Sequence, residues 1–494
     1  MPIEPIPLAN LQESGYEEQA GATPISMNIV VDGKGVVTKR PCVQAYSGAT
    51  SAYIDNYGID AIQATFEGNL YAVGGYDPAF GIPYRNIYRV TPGGAVSLTP
   101  TNPEKLIGNV KPIICETEML LVFAAGDRTQ KLVKTTNTCS ALGGNPPHGT
   151  FIINNWTRLL ENDILVDRSA VRWSNGAGGT VSYAGHELWP YGGWGTGGYF
   201  ETKARADPVV ALADHIGQVF VWGEGTLQLF QPEIIGTITS NSQTYSATSS
   251  YEYGCSAPYS LIRVEESYAW LDNQRQFVVF EGGGVRGLSE AIQKDLDDIA
   301  DVSDCFGYRV KLSGLDALVW TFPTDGRTFV YQKNMGWGQW AGWYANTWAR
   351  CPVNCAFVNP NDGATIVGTT DGRIGELSLS AYSDFVTAVP AYVQTGYLDH
   401  KTGRQKWCKD VIITVRRGDA LSTTEPVAYL SFSDQRGVWT ERFPITLGIA
   451  GDTISVVRLG PMGTYRQRAW KFEFSPNARL ALVGIEEDYE VLEV

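Results

Sequence analysis

Three groups of residues in this chain have types and spacings that could carry chemistry. "EGGGVRG" sets Gly282, Gly284 and Gly287 in the order G-x-G-x-x-G, after an apolar strand pattern and ahead of a helical one. That order lets backbone approach a pyrophosphate at a helix N-terminus, provided a βαβ unit surrounds it. No parallel-strand pattern follows, and the flanking segments alternate as hairpins do, so a hairpin turn leading to a connecting helix is the expectation. Asp295, Asp297, Asp298, Asp301 and Asp304 form an acidic run. A calcium loop would need glycine at its sixth position and glutamate at its twelfth, and this run has neither, so a solvated helix face is expected. Cys351 and Cys355 are the close cysteine pair, with no second pair or nearby histidine to complete a zinc set.

Other reactive patterns do not assemble. His148, His186, His215 and His400 lie far apart in sequence, and neither a G-x-S-x-G elbow nor a G-x-x-x-x-G-K-[ST] loop occurs. The 8 cysteines are too dilute for a disulfide scaffold, so reduced and mostly buried thiols are expected. No catalytic residue, cofactor or metal is assigned from sequence. The net charge of −14 argues against a protein that grips nucleic acid by neutralising phosphates. The N-terminus has no basic and apolar leader pattern, and "MLLVFAA" is far short of a membrane span, so a soluble chain folded in a cytoplasm is expected.

The elements that would position any site are strands. Charged residues are only 18%, aromatics 12%, and 54 glycines accompany them, which suits strands joined by tight turns. Strand–glycine turn–strand units recur at "GNLYAVGG", "EMLLVFAAGD", "GQVFVWGEG", "RQFVVFEGGG", "DALVWTFPTDG" and "GATIVGTTDG". Their spacing, roughly 40 to 60 residues apart with one longer gap, is that of four-stranded propeller blades. The expectation is an all-β chain with a β-propeller of six blades, or seven if a unit sits around 164–179. Residues 1–60 read as an N-terminal arm, 61–384 as the propeller with long loops at 148–203 and 236–254, and 385–494 as a further β-rich, sandwich-like domain. "LSEAIQKDLDDIADV" is the one helical pattern, with Leu288, Ile292, Leu296 and Ile299 in step. "SDQRGVW" resembles the Asp-box turn of sialidases and related propellers, in which Asp434 would tie the turn and Trp439 would plug the core.

Several stretches, in order, resemble the packaged-DNA stabilisation proteins, or tail nozzles, of short-tailed bacteriophages. "PISMNIVVDGKGVVTKRPC" is similar to the family's opening, where a strand leads to an Arg-Pro-Gly turn; Arg40 and Pro41 match and Cys42 replaces the glycine. "DPVVALADHIGQVFVWGEGTLQLFQ" is similar to a family blade, matching at Gly223, Thr226 and Phe230. "TFPTDGRTFVYQKNMGWGQW" is similar to another, matching at Pro323, Thr328, Tyr331 and Trp340. The resemblance implies a structural virion protein that assembles as a homo-hexamer below the portal and its tail adaptor. It implies a channel extension that helps retain packaged DNA, passes double-stranded DNA without specific binding, and meets needle, fibre or spike proteins. It implies a location in the virion tail after assembly in the host cytoplasm, with no membrane insertion by this chain. The alternative is a sialidase-like or receptor-binding propeller that recognises glycans.

Overall fold

The computed structural model describes residues 3–5, 26–32, 35–46, 54–75, 84–91, 96–98, 106–175, 183–189, 198–202, 207–234, 243–265, 267–281, 283–312, 314–417, 426–435, 437–446, 454–475, 478 and 480–493. By internal contacts the chain divides into a larger unit, 45–308 with 353–375, and a smaller one, 1–44 with 309–352 and 376–494. These differ from the sequence-based bounds at 60 and 384, because the N-terminal strands and 309–352 group with the C-terminal residues.

Strands such as Leu120–Ala124 (LLVFA) are apolar throughout and buried at every position. A strand of that kind is stable only where both faces of its sheet are covered. The chain meets this demand with seven four-stranded sheets of one pattern, six of them meanders whose strands follow in chain order. The first holds Ile59–Ala64, Leu70–Gly74, Ile87–Val90 and Val96–Leu98. The second holds Ile113–Glu116, Leu120–Ala124, Gln130–Val133 and Thr138–Ala141. The third holds Ile152–Asn155, Arg158–Asn162, Ala170–Trp173 and Tyr199–Glu201. The fourth holds Val209–His215, Gln218–Gly223, Leu227–Ile234 and Gln243–Tyr251. The fifth holds Ile262–Val264, Ser267–Leu271, Phe277–Glu281 and Gly284–Gly287. The sixth holds Phe306–Leu312, Leu315–Thr321, Thr328–Gln332 and Gly336–Gln339. The seventh holds Val353–Val358, Thr365–Thr369 and Ile374–Ser378, and Cys42–Ala45 supplies its outer strand.

Within the larger unit the first strands lie side by side in the order 353–358, 59–64, 113–116, 152–155 and 209–215. Separate apolar cores fill the spaces between neighbouring sheets: Ile59, Leu70 and Ile366; Tyr71, Val73 and Phe123; Leu120, Val122 and Leu159; Trp173, Phe220 and Trp270. Face-to-face packing of four-stranded meanders around their first strands is the β-propeller arrangement.

Among the described residues seven sheets follow the blade pattern, the larger of the two expected numbers, and the further one is the third, which holds Ala170–Trp173 within the expected unit around 164–179. Its second strand, Arg158–Asn162 (RLLEN), is as buried as the others but carries three polar side chains. Arg158 donates to the Ser174 carbonyl at 3.2 Å, and Asn162 Oδ1 accepts from the amides of Thr150 and Phe151 at 3.0 and 2.9 Å. Satisfied in this way, they break the apolar run without breaking the strand. The expected loop at 148–203 therefore contains a whole blade, and residues 176–182 and 190–197 of it lie outside the described residues. The expected loop at 236–254 contains the strand Gln243–Tyr251. As the outermost strand of its sheet, it packs fewer apolar side chains, so serine and threonine suffice and the stretch reads as loop; residues 235–242 lie outside the described residues. The helical pattern is realised as a short 3-10 turn, Glu290–Ile292, running into the helix Gln293–Asp297, with Leu296 and Ile299 fully buried.

In the smaller unit, a seven-stranded sheet has Lys406–Arg417 and Leu480–Val491 at its centre, flanked by Ile29–Val31, Val37–Lys39 and Ile454–Leu459. A four-stranded sheet of Ala391–Gln394, Ala469–Phe474, Val427–Ser433 and Phe443–Thr446 supplies Val393, Leu430 and Phe472 to the core it shares with Val411, Ile413 and Ile485. Two sheets sharing one core make the expected sandwich.

The larger unit's packing is testable at Trp222, which is fully buried and meets Trp270 edge-on with ring centroids 5.6 Å apart. Trp222→Ala is expected to cost about 3–5 kcal/mol in denaturant unfolding, against clearly less for Trp222→Phe.

Candidate functional site

Asp60 and Asn354 on two first strands of the larger unit, with Arg85, Lys111 and Tyr259 from neighbouring segments, form a polar group whose members bind one another. Asp60 divides its carboxylate between Asn354 Nδ2, at 3.0 Å from Oδ1, and Arg85 Nε, at 3.2 Å from Oδ2. Arg85 is buried and also donates to the Gly108 carbonyl. Lys111 donates to the Asn354 carbonyl, and its ammonium sits 4.0 Å from the centroid of the Phe306 ring. Tyr259 donates to the Lys111 carbonyl at 2.9 Å. Cys355 beside them has its thiol pushed up to about 12 by burial, so it is held protonated. Charges arranged in this way brace neighbouring strands, and the cations Arg85 and Lys111 are drawn into internal contacts.

Two aspartates set the entry to their blades, and sequence reading passed over both. Asp207 Oδ2 accepts from the amides of Gly225 and Thr226, each at 2.8 Å, and from the Thr226 hydroxyl at 3.0 Å. Gly223 faces the same carboxylate, and a Cβ there would come within 2.3 Å of Oδ2. Phe230 follows in the core, fully buried and 4.2 Å from the Phe200 centroid. The first blade repeats the device, with Asp55 binding the Tyr57 amide and the Tyr88 hydroxyl and standing 2.2 Å from where a Cβ on Gly74 would lie. An aspartate just ahead of the first strand, matched to a glycine closing the second, is a signal the sequence contained. The matched Gly223 and Thr226 thus belong to one structural corner, and Phe230 to the core of the same blade.

In the smaller unit Arg40, Pro41, Thr328 and Trp340 converge. Arg40 is buried and binds Asp384 through both terminal nitrogens, at 3.1 and 2.5 Å. Its remaining donors reach Asn28 Oδ1 at 3.0 Å and the carbonyls of Pro41 and Ala341 at 2.9 and 3.2 Å. The guanidinium lies 5.9 Å from the Trp340 centroid, and the Trp340 amide donates to the Thr328 carbonyl at 3.0 Å. Burial opposes the charge on Arg40, but the Asp384 carboxylate outweighs it and holds the guanidinium above its ordinary pKa. Lys39 alongside is brought down to about 8, mainly by burial, while its ammonium donates to the Tyr382 carbonyl at 3.0 Å. Burial also pushes the Cys42 thiol up to about 11. Pro323 and Tyr331 sit outside this cluster: Pro323 is half-buried at the 322–327 turn, and Tyr331 packs on Trp337 at 5.2 Å. Asp384, separated from Arg40 by 344 positions, had no local signal.

A second buried network surrounds Glu487. It accepts from the Tyr465 hydroxyl at 2.5 Å and Trp470 Nε1 at 3.3 Å, and His400 Nε2 stands 3.4 Å away. Burial alone would raise its pKa, yet the hydrogen bonds from His400 and Tyr465 overcome this and hold it below its ordinary value. Arg468 stacks 3.9 Å from Phe432 and binds Asp434 at 2.6 and 2.8 Å. Asp434 is thus engaged by Arg468, and Trp439, expected to plug the core, is only half-buried; Arg436 of this stretch lies outside the described residues. The G-x-G-x-x-G glycines lie on a hairpin, Phe277–Glu281 with Gly284–Gly287, and not on a strand-to-helix turn; Gly282 lies outside the described residues. Seven of the eight cysteines are buried and all are free. Among the described residues no cluster of three or more His, Cys, Asp or Glu could hold a metal ion.

No family model matches the chain, and no curated protein matches it. Similar solved structures include a catalytically inactive virginiamycin B lyase from Staphylococcus aureus with quinupristin, 9% identical over 65% of this chain and 95% of that one, with a TM-score of 0.41. Another is an auxiliary nutrient binding protein from Bacteroides thetaiotaomicron, 10% identical over 69% of this chain and 76% of that one, with a TM-score of 0.37. A third is an exo-β-1,3-galactanase from Phanerochaete chrysosporium, 8% identical over 93% of this chain and all of that one, with a TM-score of 0.28.

Removing one partner of the Arg40–Asp384 pair leaves the other charge buried alone, so Arg40→Met is expected to cost about 3–5 kcal/mol in urea unfolding. The double variant Arg40→Met, Asp384→Leu is expected to recover a large part of that loss. Lys39 gives a pH signature. Between its folded pKa of about 8 and its unfolded value of 10.5, the unfolded chain holds more protons, so Lys39 makes stability rise with pH. Cys42 acts in the opposite sense between 9.0 and about 11, where the folded chain holds the extra proton. The Lys39→Met variant, compared with wild type across this range, should lose the rising component and leave the falling one.

Proposed function

We propose that the chain is a structural virion protein: the tail nozzle of a short-tailed bacteriophage, extending the DNA channel below portal and adaptor and retaining the packaged genome until ejection. The observation that carries this reading is the convergence of residues matched to that family from distant parts of the sequence. Arg40 and Pro41 come from the opening turn, and Thr328 and Trp340 from a blade nearly 300 positions on, yet they form one buried cluster closed by Asp384. Gly223 and Thr226 likewise meet at the Asp207 corner, and Phe230 lies in the core of the same blade.

The physical character of the chain supports the same role. Its net charge of −14 opposes adhesion to DNA, and two cations of the larger unit, Arg85 and Lys111, are drawn into internal contacts. A propeller leaves few free sheet edges, which suits a conduit under load. In this role the chain works as a homo-hexamer in the virion, meets the adaptor on one side and needle, fibre or spike proteins on the other, and turns over no substrate.

The test is nuclease protection of DNA in particles assembled without this protein. Heads that fill and then leak their DNA are the expected result. Heads that keep their DNA yet fail to adsorb to cells would overturn the reading in favour of receptor binding. Particles carrying Arg40→Met should leak to an intermediate degree, in step with that variant's loss of stability.

A further inference from the structure

On the larger unit, the turns joining first and second strands of the first, third and fourth blades carry large, exposed apolar side chains. Phe66 is 73% exposed, Trp156 68% and Ile216 76%. They are not scattered. The Phe66 amide donates to Glu116 Oε1 at 3.1 Å, and the Glu116 carbonyl accepts from Asn154 Nδ2 at 3.3 Å. Asn155 Nδ2, next in sequence, donates to the Gly217 carbonyl at 3.1 Å. The Trp156 indole lies over Gly217, where a Cβ would come within 2.7 Å of Nε1. Four neighbouring blades are thus laced together beneath one apolar rim.

The backbone adds an independent observation. Ile216 and Gly217 form a two-residue turn with φ of 50° and 80°, and Trp156 also has a positive φ, 59°. The first position of such a turn favours asparagine or glycine, and a β-branched residue there is strained. At the corresponding turns of the first, sixth and seventh blades glycine takes the left-handed position, at Gly68, Gly314 and Gly363, and in the fifth blade the polar Glu265 takes it. Isoleucine at 216 gains no burial within the chain to offset its strain. Exposed apolar residues grouped in this way mark an interaction surface.

The charges around the rim select its occupant. Exposed carboxylates stand on the same turns, at Glu67, Glu118 and Glu265. Lys134, which approaches Glu67 at 3.5 Å, is buried and bound to Glu116 at 2.6 Å. Arg263, itself exposed two positions before Glu265, has the Asp214 carboxylate within its field. A second copy of this chain would bring like charge to an acidic rim, at an electrostatic cost. We infer that the rim of Phe66, Trp156 and Ile216 docks a basic amphipathic segment of another protein, apolar side chains on the rim and lysines or arginines against the glutamates. This stands independently of the nozzle reading.

The probe is a short fluorescent peptide alternating lysine and leucine, titrated into the full chain and followed by anisotropy. The double variant Trp156→Ser, Ile216→Asn is expected to weaken binding by about tenfold or more, as loss of central apolar anchors does. Because asparagine suits the turn, Ile216→Asn alone should match or exceed wild type in thermal stability, which separates docking from folding. Glu118→Lys should weaken binding too, and added salt should weaken it further. Equal binding by the double variant and wild type would overturn the inference, as would equal binding of a lysine–serine peptide. A change in sedimentation coefficient that shows the double variant losing a self-associated state would also overturn it, by making a second copy the occupant.

Discussion

Two-sided burial of the second strand in each blade is the constraint on which the propeller unit depends. Leu70–Gly74, Leu120–Ala124 and Thr365–Thr369 are buried along their whole length because each sheet packs on neighbours through both faces. Apolar area on both faces stabilises the arrangement, and it also removes freedom from the turns. A glycine closing the strand must sit against an aspartate ahead of the blade, as Gly223 sits against Asp207 and Gly74 against Asp55. The aspartates compensate by binding amides that the tight corner would otherwise leave unpaired.

Charge inside the structure follows the same logic of mutual satisfaction. Arg40 has Asp384, Asn28 and two carbonyls, and Glu487 has Tyr465, Trp470 and His400. Each network ties segments far apart in sequence within the smaller unit, so its value is specificity of assembly more than net stability. Glu161 in the third blade is the contrasting case. It is fully buried, accepts from the Thr129 hydroxyl and the Gly149 amide, and has no cationic partner at hydrogen-bond distance. Burial raises its pKa well above the ordinary value in spite of those donors.

Where polar side chains are satisfied internally, the rim of Phe66, Trp156 and Ile216 is not. Trp156 and Ile216 take left-handed backbone that glycine takes at Gly68 and Gly363, and the exposure of all three has no return among the described residues. The contrast between self-satisfied polar groups and an unsatisfied rim separates surfaces that hold this protein together from one suited to a partner.

The β class, the recurrent hairpins and the sandwich at the end of the chain were legible in the sequence, because alternation and turn glycines are local properties. The 322–327 turn forms as its Asp325–Gly326 pair dictates, with Gly326 at a φ of 89°. The third blade was faint because its buried strand "RLLEN" looks solvent-facing until Ser174 and the 149–151 backbone are in place to satisfy it. The strand at Gln243–Tyr251 was hidden by its serines and threonines, which an outer strand tolerates. Arg40, Pro41 and Trp340 could be picked out from sequence, but not their meeting place, since Asp384 lies 344 positions from Arg40. Only the folded chain decides which distant charge a buried arginine meets, because that pairing depends on how sheets stack and not on any spacing along the chain.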